Sequence, residues 1–415
     1  MAIVKPFAAL RPRTDLADKM ASRPYDVLNS DEARVEVKGN EYSFLHVTKS
    51  EVDLPTSVDI HSDEVYAKAK QTLGEFIEKG WLQKDATPCY YVYAQTMWGK
   101  TQYGIVGSAS IEDYENNIIK KHELTRPDKE EDRKQHINVT NVNAEPVFFA
   151  YPDNLGIEVI VSEVVKNNPA YSFTLEDGVS HSLWVIDEPA AVCRIEEIFE
   201  EEIPFTYIAD GHHRTASAAR VGIERRKANL NHTGKEEYNF FMAVHFPASQ
   251  LTIIDYNRVL RDLNELDPTE VLLQLSESFD VENKGAGEYK PTGLHNFSMY
   301  LGGNWYSLTA KAGTYNDADP IGVLDVTILS ERVLTPVFNI TDLRNSQRID
   351  FVGGIRGLGE LKKRVDSGEM KVAFALYPVS MEQLINIADS GNIMPPKTTW
   401  FEPKLRSGLF LHEIQ

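Results

Sequence analysis

The chain has 415 residues, of which 42% are hydrophobic and 25% are charged, so we expect a globular protein with two or three domains. Its formal net charge of -19 argues against a general nucleic-acid binder, because neutralising a phosphate backbone needs clustered Lys and Arg. Cys89 and Cys193 are too few for a disulfide framework, and no apolar segment has membrane-spanning length. These features predict a cytoplasmic protein without a membrane partner.

The first part of the chain contains helical and strand-like patterns. Apolar residues at helical spacing predict a helix in "DEVYAKAKQTLGEFIEKG" that ends at Gly80. "SFLHV" predicts a strand, and the Tyr- and Val-rich segments on both sides of "WGK" predict a β-hairpin with a helix after Ile111. The run "DKEEDRK" has no apolar face, so we predict a solvated charged loop over residues 125–143.

From Pro146 onward, predicted strands alternate with helices, which is typical of an α/β layer. "NFFMAVHF" and "QLTIIDYNRVL" would add two strands to the same sheet. A more polar stretch then predicts a boundary between domains 1–262 and 263–415. The second domain contains a predicted hairpin, "FSMYL-GGN-WYSL", and a helix capped by Ser380. The expected fold class is α/β (mixed α+β), with a smaller C-terminal α+β region.

The segment "TYIADGHHRTASAARVG" combines a strand, a turn and an alanine-rich helix. Asp210, Gly211, His212 and His213 lie on the turn, where the unpaired N–H groups of a helix start point outward. Gly211 lets an anion approach the backbone, and Arg214 can donate two parallel hydrogen bonds to it. A cation in the first helical turn opposes the helix dipole, unless an anion lies between them. The pattern therefore predicts a phosphate- or carboxylate-binding turn.

Single residues of this turn also fit purely structural roles. A role as helix N-cap alone would explain Asp210, and either histidine can be a packing residue. A metal site is the weaker alternative, because adjacent histidines at a helix start diverge by ~100° and chelate one ion poorly. We expect one histidine to contact the ligand, with His213 favoured because it adjoins Arg214, and the other to support the turn. Thr215 adds a hydroxyl donor nearby.

The N-terminal segment "RPYDVLNSDEAR" contains several acids. Asn29 or Ser30 can cap a short helix in this segment. The acids Asp31 and Glu32 would then be favoured simply by their position at the helix N-terminus. A catalytic role for an acid of this segment is the alternative.

The closing segment "MPPKTTWFEPKLRSG" holds three prolines and cannot form a helix. It also carries Lys397, Lys404 and Arg406, three cations in an acidic chain. The segment is therefore either a wall of the anion site or a surface strap whose aromatic residues fill the core.

The box "IADGHHRTASA" resembles the D-G-H-H-R box of the free L-serine kinases in the ParB and sulfiredoxin superfamily. Over nearly the whole chain, the sequence also resembles a bacterial and archaeal family of unknown function. That second resemblance rests on "PFAALRPR", "RPYDVLNSDEAR", "SFLHV", the box itself and "MPPKTTWFEPKLRSG". The resemblance implies a ParB/sulfiredoxin-like core, built on a mixed sheet with flanking helices.

The resemblance further implies a kinase that uses ATP or ADP with Mg²⁺ to phosphorylate a small hydroxylated metabolite, with free L-serine as the acceptor. The box would hold nucleotide phosphates, and an acid of the N-terminal segment (Asp26, Asp31 or Glu32) would deprotonate the acceptor. A non-catalytic nucleotide-binding regulatory protein and a metal-dependent phosphoesterase stay open as alternatives, as does a homo-oligomer. The predicted site residues are Glu32, Asp26, Asp210 and His213 for catalysis, Asp210, Gly211, His212, His213, Arg214, Thr215, Lys397, Lys404 and Arg406 for the nucleotide, and Asp210 for the metal.

Overall fold

The computed structural model describes residues 1–415, which form two compact units. The first unit comprises Met1–Leu251 together with Pro403–Gln415, and the second comprises Thr252–Glu402. The sequence places the boundary after residue 262, whereas the structure divides the chain at 251/252 and again at 402/403. None of the helices combines the length and the apolar composition that crossing a membrane requires.

The chain contains 13 α-helices and 21 strands. The helices are α1 Ala17–Met20, α2 Ser30–Glu36, α3 Leu45–Thr48, α4 Asp63–Glu78, α5 Ile111–Glu115, α6 Pro127–Thr140, α7 Leu155–Val164, α8 Pro189–Glu202, α9 His212–Ala228, α10 Pro268–Ser278, α11 Asp325–Leu329, α12 Gly357–Asp366 and α13 Met381–Asp389. The strands are β1 Val4–Lys5, β2 Leu10–Pro12, β3 Leu82–Lys84, β4 Tyr90–Met97, β5 Lys100–Ser110, β6 Ile119–Lys120, β7 Val142–Asn143, β8 Val147–Tyr151, β9 Tyr171–Thr174, β10 Ser180–Ile186, β11 Thr206–Asp210, β12 Phe240–Pro247, β13 Thr252–Ile254, β14 Tyr256–Leu260, β15 Phe279–Gly285, β16 Asn296–Leu301, β17 Asn304–Ala310, β18 Ile349–Gly353, β19 Val372–Ala375, β20 Trp400–Glu402 and β21 His412–Glu413.

A nine-stranded sheet forms the core of the first unit, with the order β6-β11-β8-β12-β5-β4-β10-β9 and β1 added beside β5. The pairs β6–β11 and β8–β12 are parallel, and the other neighbours are antiparallel. Helices α5 and α9 pack on β8, β11 and β12 in one apolar cluster, while α7 and α8 pack on β4 and β5 in another. The chain is therefore a mixed α+β protein, as the sequence predicts.

The second unit contains an antiparallel six-stranded sheet with the order β15-β17-β16-β19-β14-β18. The predicted hairpin β16–β17 and the capped helix α13 are confirmed. The segment "QLTIIDYNRVL" does not extend the large sheet, because β14 joins this second sheet and β13 pairs with β20. An apolar run shows that a strand is buried, but it does not show which sheet the strand joins.

The charged run at residues 125–143 is not a loop, because most of it forms α6. Arg133 and His136 are buried, and so is Asp132, whose carboxylate accepts hydrogen bonds from the Tyr66 hydroxyl at 2.8 Å and the Arg133 Nε at 2.8 Å. His61 Nδ1 lies 2.9 Å from the same carboxylate. The prediction was wrong because it required an apolar face, whereas this helix buries charges that are paired.

The segment "SFLHV" is not a strand either, because Leu45–Thr48 forms the short helix α3. Phe44, Leu45 and Val47 are fully buried, while the ring of His46 contacts the Asp53 carboxylate at 2.9 Å. Five residues are too few for hydrophobic periodicity to distinguish a strand from one helical turn.

Candidate functional site

Strand β11 ends at Asp210 and helix α9 begins at His212, so Gly211 forms the predicted turn. Gly211 has φ 93° and ψ 33°, in the left-handed region that favours glycine. A Cβ atom at this position would lie 3.0 Å from Nε of Arg214. Glycine is therefore required both by the backbone conformation and by the close approach of the guanidinium group.

The N-terminus of α9 has no side-chain cap, because Gly211 offers no oxygen for the first N–H groups. Those groups have no intrahelical partner, and together with the helix dipole they attract an anion. Thr215 is fully buried, and its hydroxyl donates to the carbonyl oxygen of Gly211 at 3.1 Å. The turn therefore offers backbone donors to a ligand, while the Thr215 hydroxyl is engaged within the helix.

Arg214 is buried beside this turn, with 6% of its surface exposed. Its Nη1 donates to the carbonyl oxygen of Pro146 at 2.6 Å, and its Nη2 lies 3.7 Å from Oδ2 of Asp210. Its Nε is buried and has no hydrogen-bond partner. A buried donor without a partner costs roughly 1–3 kcal/mol. A ligand oxygen at the Gly211 turn would remove this cost.

The Asp210 carboxylate organises the cations of the turn. Its Oδ2 accepts a hydrogen bond from Nζ of Lys404 at 3.1 Å, and its Oδ1 accepts one from the Gly211 N–H at 2.9 Å. Burial raises the pKa of Asp210, but Lys404 and Arg214 outweigh it and hold that pKa well below its usual range. Asp210 is thus an ionised partner of two cations, and it does not cap the second or third residue of α9.

The two histidines of the box have different partners. His212 is buried and packs edge-to-face on His122, with ring centroids 4.5 Å apart. Burial lowers the pKa of His212 and brings that of His122 to about 4, so both rings are neutral near pH 7. His213 is half-buried, and its Nε2 accepts a hydrogen bond from the backbone N–H of Arg126 at 3.0 Å. A ligand contact by His213 stays a prediction.

The N-terminal acids occupy different surroundings. Asp26 is exposed on a 3-10 helix, Tyr25–Val27, and its charge raises the pKa of the neighbouring Arg214, whose burial acts in the opposite direction. Glu32 lies in the first turn of α2, where its Oε2 accepts a hydrogen bond from the N–H of Asn29 at 2.9 Å. The charge of Asp26 thus acts on Arg214, whereas Glu32 is engaged in capping α2.

The three cations of the closing segment are separated in the structure. Lys404 reaches Asp210, whereas Arg406 is buried and pairs with Asp177. Lys397 belongs to the second unit, where its carbonyl oxygen accepts a hydrogen bond from Arg258 at 2.9 Å. Roles of Lys397 and Arg406 in nucleotide binding stay predictions.

Sequence reasoning missed three residues of this region. His122 follows β6, which runs parallel to β11, so both lie at the carboxyl edge of the sheet. Glu145 precedes β8, and Arg133 lies on the unexpected helix α6. β6 has only two residues and gives no periodic signal. A charged residue directly before the apolar run "PVFFAY" was the one usable signal for Glu145.

Comparison with known proteins gives a matching family model and several solved structures that resemble this chain weakly, three of which are described below. A mutant free serine kinase in complex with AMP has a TM-score of 0.36 and 13% identity, covering 73% of this chain and 88% of that one. SbnI from Staphylococcus aureus, truncated at its C-terminus, has a TM-score of 0.36 and 12% identity, and the match covers 73% of this chain and 85% of that one. A conserved hypothetical protein from Pyrococcus furiosus has a TM-score of 0.35 and 13% identity, and the match covers 73% of this chain and 93% of that one. No curated protein matches the chain. Residues 4–327 match one family model, so the chain belongs to the family described as "Protein of unknown function (DUF1015)".

Proposed function

We propose that the protein is a phosphotransferase that binds ATP or ADP at the β11–α9 turn and phosphorylates the hydroxyl group of a small metabolite. The observation that carries this proposal is the buried Nε of Arg214, which lacks a partner and lies against a helix N-terminus without a side-chain cap. These donors complement the oxygens of a terminal phosphate.

The charges around the turn suit phosphoryl transfer, in which the protein mainly neutralises charge and aligns the reactants. Arg214 and Lys404 both approach Asp210, which keeps the two cations in place before a phosphate arrives. A bound phosphate would share these cations with Asp210 and would lie at the positive end of the α9 dipole.

Asp26 is the acid that we assign to the acceptor side. In the transfer, the acceptor oxygen attacks the terminal phosphorus, and its proton passes to the Asp26 carboxylate. The bond from phosphorus to the bridging oxygen breaks, and its electron pair stays with the departing nucleotide. An exposed carboxylate close enough to influence Arg214 and His213 supports this role. Free L-serine is the first acceptor to test, because the box resembles that of the free serine kinases.

A magnesium ion would find one suitable protein ligand here, the carboxylate of Asp210. No group of three or more His, Cys, Asp or Glu side chains is arranged to hold a metal ion. Mg²⁺ in phosphoryl-transfer sites commonly uses one or two carboxylates together with phosphate oxygens, so Asp210 fits that pattern. When bound, the ion would neutralise charge on the phosphates.

The proposal is tested by nucleotide binding to Arg214→Lys. Lysine keeps the charge but loses Nε and the planar fork, so we expect ADP and ATP to bind about 10- to 100-fold more weakly, the usual effect of losing a charge-assisted hydrogen bond. The melting temperature should also fall, because the bond to Pro146 is lost. Isothermal titration calorimetry well below that temperature separates the two effects.

Arg220→Lys is the matched control, since Arg220 lies on the same helix and pairs with Glu131 at 2.7 Å. It should bind nucleotide like the wild type. Equal affinities for the two variants, or a wild type that binds no nucleotide, would overturn the proposal. Phosphorus NMR with serine and other small alcohols then follows transfer; binding without any product favours a regulatory nucleotide-binding protein.

A further inference from the structure

We propose that Glu145 is a positioning residue that fixes the backbone carrying Asp26 relative to Arg214. The inference rests on the proposed function for the roles of those two residues. Glu145 is 8% exposed and lies two residues before β8, an interior strand of the large sheet. Its hydrogen bonds and its ion pair go to residues outside the β11–α9 turn, so we expect its effect on transfer to act through these neighbours.

The carboxylate of Glu145 holds the backbone next to Asp26. Its Oε1 accepts a hydrogen bond from the N–H of Tyr25 at 3.0 Å. The same oxygen accepts one from the hydroxyl of Ser407 at 3.2 Å. Ser407 belongs to the closing segment that also carries Lys404. One buried oxygen thus joins the N-terminal acid segment to the segment that supplies a cation to Asp210.

The residue after Glu145 holds the other partner. The carbonyl oxygen of Pro146 accepts the hydrogen bond from Nη1 of Arg214 at 2.6 Å. The proline ring fixes its own φ, and the paired strand β8 follows immediately. The dipeptide at 145–146 therefore sets the distance between the acid segment and the guanidinium group from a rigid base.

Arg133 makes the charge of Glu145 necessary. Its Nη1 lies 3.6 Å from Oε2 of Glu145, and its guanidinium carbon lies 4.1 Å from the centroid of the Tyr25 ring. A glutamine at this position has two orientations. Its amide oxygen can face the Tyr25 N–H while its N–H₂ group faces Arg133, or its oxygen can face Arg133 while its N–H₂ group faces the Tyr25 N–H. Either orientation places two donors face to face, so the Tyr25–Asp26 segment should loosen while the fold is kept.

Hydrogen exchange of the nucleotide-free protein measures this directly. In Glu145→Gln, we expect the Tyr25 amide and residues 22–28 to exchange about tenfold faster than in the wild type. Glu51→Gln is the matched control, since Glu51 is also a buried glutamate, 5% exposed, that bonds Ser30 at 2.9 Å and Lys49 at 3.0 Å. Its effect should not extend to the Tyr25 amide.

Kinetics provide the second measurement. For Glu145→Gln we expect kcat to fall about 10- to 100-fold while nucleotide Kd changes less than about threefold, because Pro146 still holds Arg214. A residue that only stabilises the fold would not lower kcat while leaving nucleotide Kd nearly unchanged.

The outcomes separate the two proposals. Exchange at Tyr25 that is the same in Glu145→Gln and Glu51→Gln overturns the inference, and so does a loss of nucleotide affinity equal to the loss of kcat. A wild type that binds nucleotide and transfers nothing to any acceptor overturns the proposed function alone. The exchange comparison then still decides whether Glu145 holds the acid segment.

Discussion

The carboxylate of Asp26 is exposed on a 3-10 helix, whereas that of Glu32 completes a capping box with Asn29. In such a box the Asn29 side chain accepts from the N–H of Glu32, and Glu32 accepts from the N–H of Asn29 in return. The sequence could not separate the two acids, because the capping pattern and a catalytic carboxylate are both compatible with "RPYDVLNSDEAR". Because their surroundings in the fold differ, we expect a substitution of Asp26 to affect catalysis and a substitution of Glu32 to affect stability.

Asp26→Asn should lower kcat about 10²- to 10⁴-fold and leave nucleotide affinity nearly unchanged, because a general base acts on the acceptor proton only. Glu32→Ala should keep kcat within about twofold and lower the free energy of unfolding by about 0.5–1 kcal/mol, the usual cost of a lost capping contact. Steady-state kinetics and urea denaturation measure these effects. Equal losses of kcat in the two variants would contradict the assignment of Asp26.

At the scale of elements, α6 shows how a helix without an apolar stripe can still be buried. Asp132 is held by Tyr66, His61 and Arg133, which bring its pKa to about 2 although burial acts in the opposite direction. Because that pKa is lower in the folded chain than in the unfolded one, the contribution to stability is present above about pH 4 and is lost as the pH falls toward 2.

Asp132→Asn should destabilise the first unit by about 3 kcal/mol at pH 7, because removing one partner leaves the buried guanidinium of Arg133 poorly compensated. The neighbouring change Glu131→Gln provides the comparison, since Glu131 is partly exposed and its bond to Arg220 is at the surface. It should cost less than about 1 kcal/mol. Urea denaturation at pH 7 measures both, and similar values for the two variants would contradict the description of α6.

The elements that the sequence predicts correctly are those with local signals. Helix α4 has apolar residues at helical spacing, α13 has its capping box, and the β4–β5 and β16–β17 hairpins have short turns between apolar runs. The β11–α9 turn belongs with them, because the order of a buried strand, a glycine and a helix is itself local.

The remainder of the site depends on contacts between distant segments. The burial of α6 requires His61 and Tyr66 from other parts of the chain, and Glu145 meets Tyr25 and Ser407 only in the folded protein. A charged side chain looks exposed in a sequence until its partner is known. For this reason the sequence predicted the β11–α9 turn but not the residues that hold it.

At the scale of the whole molecule, the two units contain buried groups with opposite responses to pH. In the first unit, burial brings the pKa of His136 and His245 to about 4, although each ring has a backbone contact that acts in the opposite direction. Unfolded histidines bind protons near pH 6.5, so these rings make the first unit lose stability as the pH falls from about 6.5 to 4.

In the second unit, Asp325 is 3% exposed, and burial raises its pKa to about 7. Its Oδ1 accepts a hydrogen bond from the N–H of His295 at 2.9 Å, while its Oδ2 has no partner. The His295 ring lies 3.2 Å from Oδ1 of Asp325 and 4.0 Å from the carboxylate of Asp317. Because the folded carboxyl binds its proton more tightly than the unfolded one, this contribution is complete below about pH 4 and is lost as the pH rises through 7.

Asp325→Asn should therefore stabilise the second unit by about 2 kcal/mol at pH 8, where the wild-type carboxylate is charged and buried, and by much less at pH 5, where it is already protonated. Asp280→Asn, an exposed change on β15 of the same unit, should alter neither value by more than about 0.5 kcal/mol. Hydrogen exchange at both pH values, corrected for the intrinsic rate, reports the stability of each unit separately. The His136 and His245 rings should make the first unit respond in the opposite direction over the same range. An Asp325→Asn protein whose second unit shows the same difference between pH 5 and pH 8 as the wild type would exclude this carboxyl group as the source of the pH dependence.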